Sequence, residues 1–146
     1  NLPVIVMHMQ NQPNSMQHNP QYKDVVSEVA EFLAERKTIC VAAGISEEQI
    51  ILDPGFGFGK TLDHNLALFN GLSRLAAEGH PVLAGVSRKS MIGQMLDSDV
   101  DNRLIGSVTM AVLAAQQVAA AQGSLILRVH DVKETVQALS VWQQSR

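Results

Sequence analysis

Gln49-Ile50-Ile51-Leu52-Asp53-Pro54-Gly55-Phe56-Gly57-Phe58-Gly59-Lys60-Thr61 joins a short apolar run to a carboxylate, a proline and a glycine-rich loop. Branched apolar residues without alternation are what a strand covered on both faces requires. Pro54 cannot extend a strand ladder, so the strand ends at Asp53. A helical pattern follows from about Leu62 to Glu78, closed by Gly79. Strand, loop, helix is the unit.

The unit recurs on both sides. Val4 to Met9 is a nearly continuous apolar run, followed by a loop rich in Asn, Gln and Pro from Gln10 to Pro20. A helix is then expected from about Tyr22 to Ala43. Val25, Val26, Val29, Phe32 and Leu33 share one face of it, and Gly44 stops it. Downstream, Pro81 to Val86 leads into Ser87-Arg88-Lys89-Ser90, with an Ala- and Val-rich helix expected from about Val100 to Gln122. Leu125 to Val129 leads into His130-Asp131 and a last helix from about Lys133 to Gln144. The period is roughly 35 residues without sequence self-similarity, so the repetition is architectural. Strands alternating with helices give an α/β fold with a parallel sheet. An open doubly wound sheet and part of a (β/α)8 barrel both satisfy the pattern.

The 146 residues, 46% hydrophobic, suit one domain with a sizeable core. A net charge of −3 argues against a nucleic-acid surface or a polybasic membrane anchor. No apolar stretch approaches the roughly 18 residues of a membrane span, no leader pattern opens the chain, and cytoplasm is the expected compartment. The lone Cys40 forms no internal disulfide and reads as a small buried residue. The chain starts at Asn1 and enters its first strand within three residues, so residues 1–146 are expected to be a single partial domain, a fragment.

Polar groups gather just after the C-terminal ends of all four runs, the side on which either architecture binds ligands. Asp53 at a strand end either caps the Pro54-Gly55 turn through its own backbone or accepts paired N–H groups from a ligand. In the glycine loop, a P-loop would need glycine at Pro54 and a dinucleotide fingerprint would need glycine at Lys60, so both fail. What remains is a flexible loop that can approach a ligand closely. Phe56 and Phe58 either stack on a flat ring or anchor that loop. Lys89, after Arg88, suits a carbonyl or phosphate oxygen. Arg128 and His130, two apart on one strand, point to the same side and suit an anion such as pyrophosphate. Met7 and Met9 line a pocket or fill the core, and His8 reads as a satisfied core histidine. His18, His64 and His80 lack metal-ligand spacing, so no metal site is expected in the chain.

Met7-His8-Met9, Leu52-Asp53-Pro54-Gly55-Phe56-Gly57-Phe58-Gly59-Lys60, Gly85-Val86-Ser87-Arg88-Lys89-Ser90 and Arg128-Val129-His130-Asp131-Val132 together resemble strands five to eight of the dihydropteroate synthases. They occur in family order and at family spacing over essentially the whole chain. The resemblance implies a (β/α)8 TIM barrel of which this chain is the C-terminal half. It implies a folate-biosynthesis transferase that condenses 7,8-dihydropterin-6-ylmethyl pyrophosphate with p-aminobenzoate, releasing pyrophosphate. Asp53 would hold the pterin N–H groups, Lys89 contact the pterin, and Arg128 and His130 hold the pyrophosphate. Phe58 and Ser90 would belong to the p-aminobenzoate pocket. The candidate substrate-binding set is therefore Met7, Asp53, Gly57, Phe58, Lys89, Ser90, Arg128 and His130, with Asp53, Lys89, Arg128 and His130 as catalytic groups. The family further implies Mg²⁺ held chiefly by strands one to four, a homodimer, and inhibition by sulfonamides. Because strands one to four are absent, the chain alone is expected to be inactive and prone to association. A methyltetrahydrofolate-binding methyltransferase of the same barrel superfamily, or an inert half-barrel binding module, are the competing readings.

Overall fold

The computed structural model describes residues 2–10 and 19–146. His18 and most of the Gln10–Pro20 loop lie outside them. Four short strands form one parallel sheet: β1 (Val4–Met7), β2 (Ile50–Asp53), β3 (Val82–Ala84) and β4 (Leu125–Leu127). Their order is β1-β2-β3-β4, so every strand pairs with its neighbour in sequence. A doubly wound sheet reverses its strand order at a switch point, and these strands have no reversal. The arrangement is that of consecutive barrel units.

Ile50, Leu52, Val82 and Ala84 face the helices and join the core with Leu33, Leu68, Leu72 and Val118. On the opposite face Ile5 pairs in register with Ile51, and Leu83 with Ile126. Ile5 is 52% exposed and Ile126 40% exposed, so the ends of this second apolar row stand open.

The helices are α1 (Val25–Ala42), α2 (Leu62–Asn70), α3 (Leu72–Ala76), α4 (Ser90–Leu96), α5 (Leu104–Ala120) and α6 (Val132–Gln144). Asp24 caps α1, its Oδ1 accepting from the N–H groups of Val26 and Ser27. Three sequence expectations need correction. The single helix expected from Leu62 to Glu78 is broken at Gly71, where a Cβ would lie 2.7 Å from Val26 Cγ1, so the missing side chain lets α1 approach closely. The helix expected from Val100 starts at Leu104, after a 3₁₀ turn over Val100–Asn102 capped by Asp99. The seven-residue α4 was not anticipated, because it is too short to show a clear apolar period. Cys40 lies within α1 and is only partly buried.

Candidate active site

The loop after β2 is cinched at every turn. Gly55 has φ of +69°, and a Cβ there would sit 1.8 Å from the carbonyl oxygen of His8, so only glycine lets the loop cross the end of β1. The Gly55 N–H donates to Asp53 Oδ1 at 2.8 Å. The Gly57 N–H donates to Asn65 Oδ1 at 2.8 Å, and the Tyr22 hydroxyl donates to the Gly59 carbonyl at 2.8 Å. Phe56 is buried, its ring 6.1 Å from that of Phe69. Phe56 is therefore the anchor, and Phe58 is the aromatic left facing the site.

Lys60 is buried as well. Its Nζ lies 2.9 Å from His8 Nδ1 and donates to the carbonyls of Gly55 (2.9 Å) and Phe58 (3.1 Å). Burial pulls the Lys60 pKa down to about 7, with Asp53 opposing and Lys89 adding to the fall. His8, packed edge-on against Phe32, is pulled down to about 4 by burial and by Lys60. The sequence reading treats this loop as flexible; the bonds from Lys60, Asn65 and Tyr22 hold it in one shape. Lys60, Asn65 and Tyr22 were missed because their partners are backbone atoms, which carry no residue-type signal, or, for Lys60, also a histidine 52 positions away.

Asp53 makes the turn-capping contact that its local sequence allows and also lies among cations. One oxygen caps the turn, while Arg128, Lys89 and Lys60 act on the same carboxylate through space. Burial pushes its pKa up, and the Gly55 N–H and those three cations pull it back. Lys89 Nζ donates to the Phe56 carbonyl and lies 4.3 Å from the centroid of the Phe58 ring, a cation–π contact. Burial lowers its pKa to about 8. Gly57 makes room for it, since a Cβ there would lie 3.2 Å from Lys89 Cδ. Gly85 does the same for Arg128, whose Nη2 would lie 2.8 Å from an added Cβ.

Two bridges tie the loop after β3 to the loop after β4. Ser87 Oγ, buried, lies 3.0 Å from His130 Nδ1 and accepts the His130 backbone N–H at 3.2 Å. Arg88 grips Asp131 in two-pronged fashion, Nε to Oδ2 at 3.0 Å and Nη2 to Oδ1 at 2.5 Å. Hydrogen bonding to Arg88 holds the Asp131 carboxyl below the usual carboxylate range. A recess of about 270 Å³ is lined by Gly85, Ser87, Lys89, Arg128, Val129 and His130. Lys89, Arg128 and His130 thus meet at one cavity, with Asp53, Gly57 and Phe58 gathered around Lys89. Met7 is in register with Asp53 and its Cγ would lie 3.5 Å from a Cβ at Gly55, whereas Ser90 opens α4 at the surface beside Lys89.

Residues 1–130 match the family model described as pterin binding enzyme. The chain belongs to the pterin-binding enzyme family. Among its relatives in this family, a dihydropteroate synthase from Haemophilus influenzae is 52% identical over 142 residues, 97% of this chain and 50% of that protein. The Escherichia coli dihydropteroate synthase is 52% identical over 143 residues, 96% of this chain and 48% of that protein. A crystal structure of Yersinia pestis dihydropteroate synthase in a sulfonamide drug complex superposes with a TM-score of 0.92 at 48% identity, covering 99% of this chain and 51% of that one. Xanthomonas albilineans dihydropteroate synthase in complex with 7,8-dihydropteroate superposes at 0.87 with 46% identity, covering 98% and 50%. The chain spans about half the length of the curated relatives it matches. Those structures are (β/α)8 barrels, and the described residues of this chain form four strand–helix units of that kind.

Proposed function

We propose that this chain is the C-terminal half of a dihydropteroate synthase barrel, residues 1–146 forming a single partial domain. The observation that carries this reading is the buried Asp53 carboxylate set beside Lys89 and Arg128, next to a recess lined by cations. A desolvated carboxylate is matched by a ligand with paired N–H donors, such as a pterin's amino and ring nitrogens. A recess carrying a guanidinium, an ammonium and an imidazole is matched by a diphosphate.

In this reading Asp53 and Lys89 hold the pterin. Phe58 and Ser90 border the p-aminobenzoate, with Gly57 and Met7 shaping the walls. Arg128 and His130 hold the diphosphate. The bond between the pterin methylene and the diphosphate oxygen breaks, both electrons leaving with oxygen. Positive charge develops on the methylene, the arylamine nitrogen bonds to it, and that nitrogen releases its proton. Fixed cations at the leaving oxygen lower the barrier because they are oriented before charge develops there. Holding the two substrates in line supplies the remaining advantage. Among the described residues no three His, Cys, Asp or Glu side chains converge as a metal cage, and the groups lining the recess are cationic or neutral. The Mg²⁺ implied by the family does not fit this donor set, and no step is routed through it.

The same reading makes the whole protein a cytoplasmic homodimer inhibited by sulfonamides. Among the described residues no helix is long and apolar enough to cross a membrane. The open row of Ile5 and Ile126 is where the other four strands would close, and the chain alone should give no product.

The test is calorimetric titration with dihydropterin pyrophosphate, comparing the chain with its Asp53→Asn variant. Binding that the substitution weakens roughly tenfold to a hundredfold supports the synthase. Binding of methyltetrahydrofolate in place of the pterin pyrophosphate would favour the methyltransferase reading instead. Product formed by the isolated chain would overturn the claim that both halves are needed.

A further inference from the structure

We infer that Ser87 is a positioning residue that fixes the ring of His130 so that Nε2–H, and not Nδ1, is presented to the leaving diphosphate. The inference rests on the proposed synthase reading for the identity of the anion; the geometry of the pair stands apart from it. Ser87 is 5% exposed, and its hydroxyl touches His130 twice, at the backbone N–H (3.2 Å) and at ring Nδ1 (3.0 Å).

A hydroxyl has one proton to give and two lone pairs to accept with. The backbone N–H of His130 can only donate, so it takes one lone pair. Among the described residues the hydroxyl has no acceptor in reach except Nδ1, so its proton is satisfied only where Nδ1 accepts it, which puts a neutral ring's own proton on Nε2. The ring then offers a donor to the recess without carrying a charge. With a proton on Nδ1, in the other neutral tautomer or in the charged ring, both groups that touch the hydroxyl would donate, and the hydroxyl proton would have to find another acceptor. The two contacts therefore favour Nε2–H over Nδ1–H as the tautomer of the neutral ring, because the alternative strands the buried hydroxyl's proton.

The surrounding chain keeps Ser87 in place. The next residue, Arg88, has φ of +55°, a left-handed conformation that crowds Cβ against the following carbonyl oxygen. It is held there at both ends: its N–H donates to Ser107 Oγ (2.9 Å) and its carbonyl accepts from Arg103 Nη1 (3.0 Å). Its side chain binds Asp131, the residue after His130. Two adjacent bridges, Ser87 to His130 and Arg88 to Asp131, thus lock the same two loops in one register. Ser87 lines the recess with Lys89, Arg128 and His130, yet the hydroxyl is spent on His130, so it acts through that ring.

Two measurements test this on the full chain. Long-range proton–nitrogen spectra of the unliganded protein, taken at a pH about two units above the ordinary imidazole pKa of ~6.5, read the ring's tautomer directly. His130 should show a hydrogen-bonded Nδ1 acceptor and a protonated Nε2. Ser87→Ala should shift the Nδ1 signal towards that of a free, exchanging ring, and Ser87→Thr should keep it. Identical His130 signals in the original chain and Ser87→Ala would overturn the inference. Inorganic pyrophosphate is then titrated into the chain, Ser87→Ala, His130→Ala and the double variant. Ser87→Ala should weaken binding about fivefold, the loss of one neutral hydrogen bond's worth of orientation, and should have no effect once His130 is gone. Equal losses on both backgrounds would overturn it, since Ser87 would then act on the loop and not on the ring. If no variant takes pyrophosphate while the ring signals still depend on Ser87, the diphosphate reading falls and the Ser87–His130 relation stands.

Discussion

Lys60 Nζ lies 2.9 Å from Nδ1 of His8, joining the loop after β2 to the end of β1. The same ammonium donates to the Gly55 and Phe58 carbonyls, so one buried side chain sets the path of the glycine loop. Lys60→Met removes the donor from two carbonyls and a ring nitrogen at once. Each buried group left without a partner costs about 1–3 kcal/mol. The urea midpoint should fall well below that of Thr61→Ala, which removes only the exposed cap of α2 and costs about 1 kcal/mol. Similar midpoints for the two variants would show that Lys60 does not hold the loop.

The His8–Lys60 pair also dictates how stability responds to pH. Both pKa values lie below their ordinary ones, at about 4 for His8 and about 7 for Lys60. In each case the unfolded chain takes up a proton that the folded chain refuses, so stability rises with pH. The His8 contribution is complete above about 6.5 and is lost as pH falls towards 4. The Lys60 contribution grows between about 7 and 10.5. Asp53 runs the other way: its pKa is raised, so stability falls as pH climbs through the window just above 3.8. His8→Gln keeps an acceptor for Lys60 but does not titrate. Denaturant midpoints measured across pH 4 to 6.5 should therefore change less in His8→Gln than in the original chain.

Asp53→Asn separates the two duties of that residue. The amide oxygen can still accept the Gly55 N–H, so the thermal midpoint should move little or rise, a buried charge having been removed. The amide cannot receive two ligand N–H groups as a carboxylate does. Pterin affinity should drop roughly tenfold to a hundredfold, the value of one or two charge-assisted hydrogen bonds. A large loss of stability with affinity intact would mean that Asp53 serves the turn alone.

Glycine substitutions should sort by what an added Cβ meets. At Gly55 it would meet the His8 backbone at 1.8 Å, and Gly55→Ala should not fold. At Gly79, with φ of +84° and nothing within 4 Å, alanine should cost only about 1–2 kcal/mol of backbone strain. At Gly85 it would meet the tip of Arg128, which can swing aside. Gly85→Ala should keep the melting temperature within a few degrees while weakening pyrophosphate binding about tenfold, as the guanidinium leaves its place. Circular dichroism melts and pyrophosphate titrations on the three variants check the ranking.

Sequence alone was enough for the four strand–helix units and for singling out Asp53, Lys89, Arg128 and His130, which the fold brings close together at one end of the sheet. Each of those signals is local: an apolar run, a breaker, or a charge at a strand end. Strand order was not local: the apolar pattern left a doubly wound sheet and barrel units both open, the family resemblance implied the barrel, and the pairing of β1 with β2 through β4 agrees with it. The need for glycine at position 71 likewise comes from Val26, a residue on another helix that leaves no room for a Cβ there. The same holds at the site. Phe56 and Phe58 are equivalent in sequence, and only packing against Phe69 or beside Lys89 separates anchor from site wall. Lys60 and Ser87 acquire their roles from His8, 52 positions away, and from His130, 43 positions away. Periodicity and turn chemistry act over a few residues and can be read along the chain. Which buried polar group satisfies which is decided only when distant segments meet, because a hydrogen bond needs a partner within about 3 Å and not one nearby in sequence.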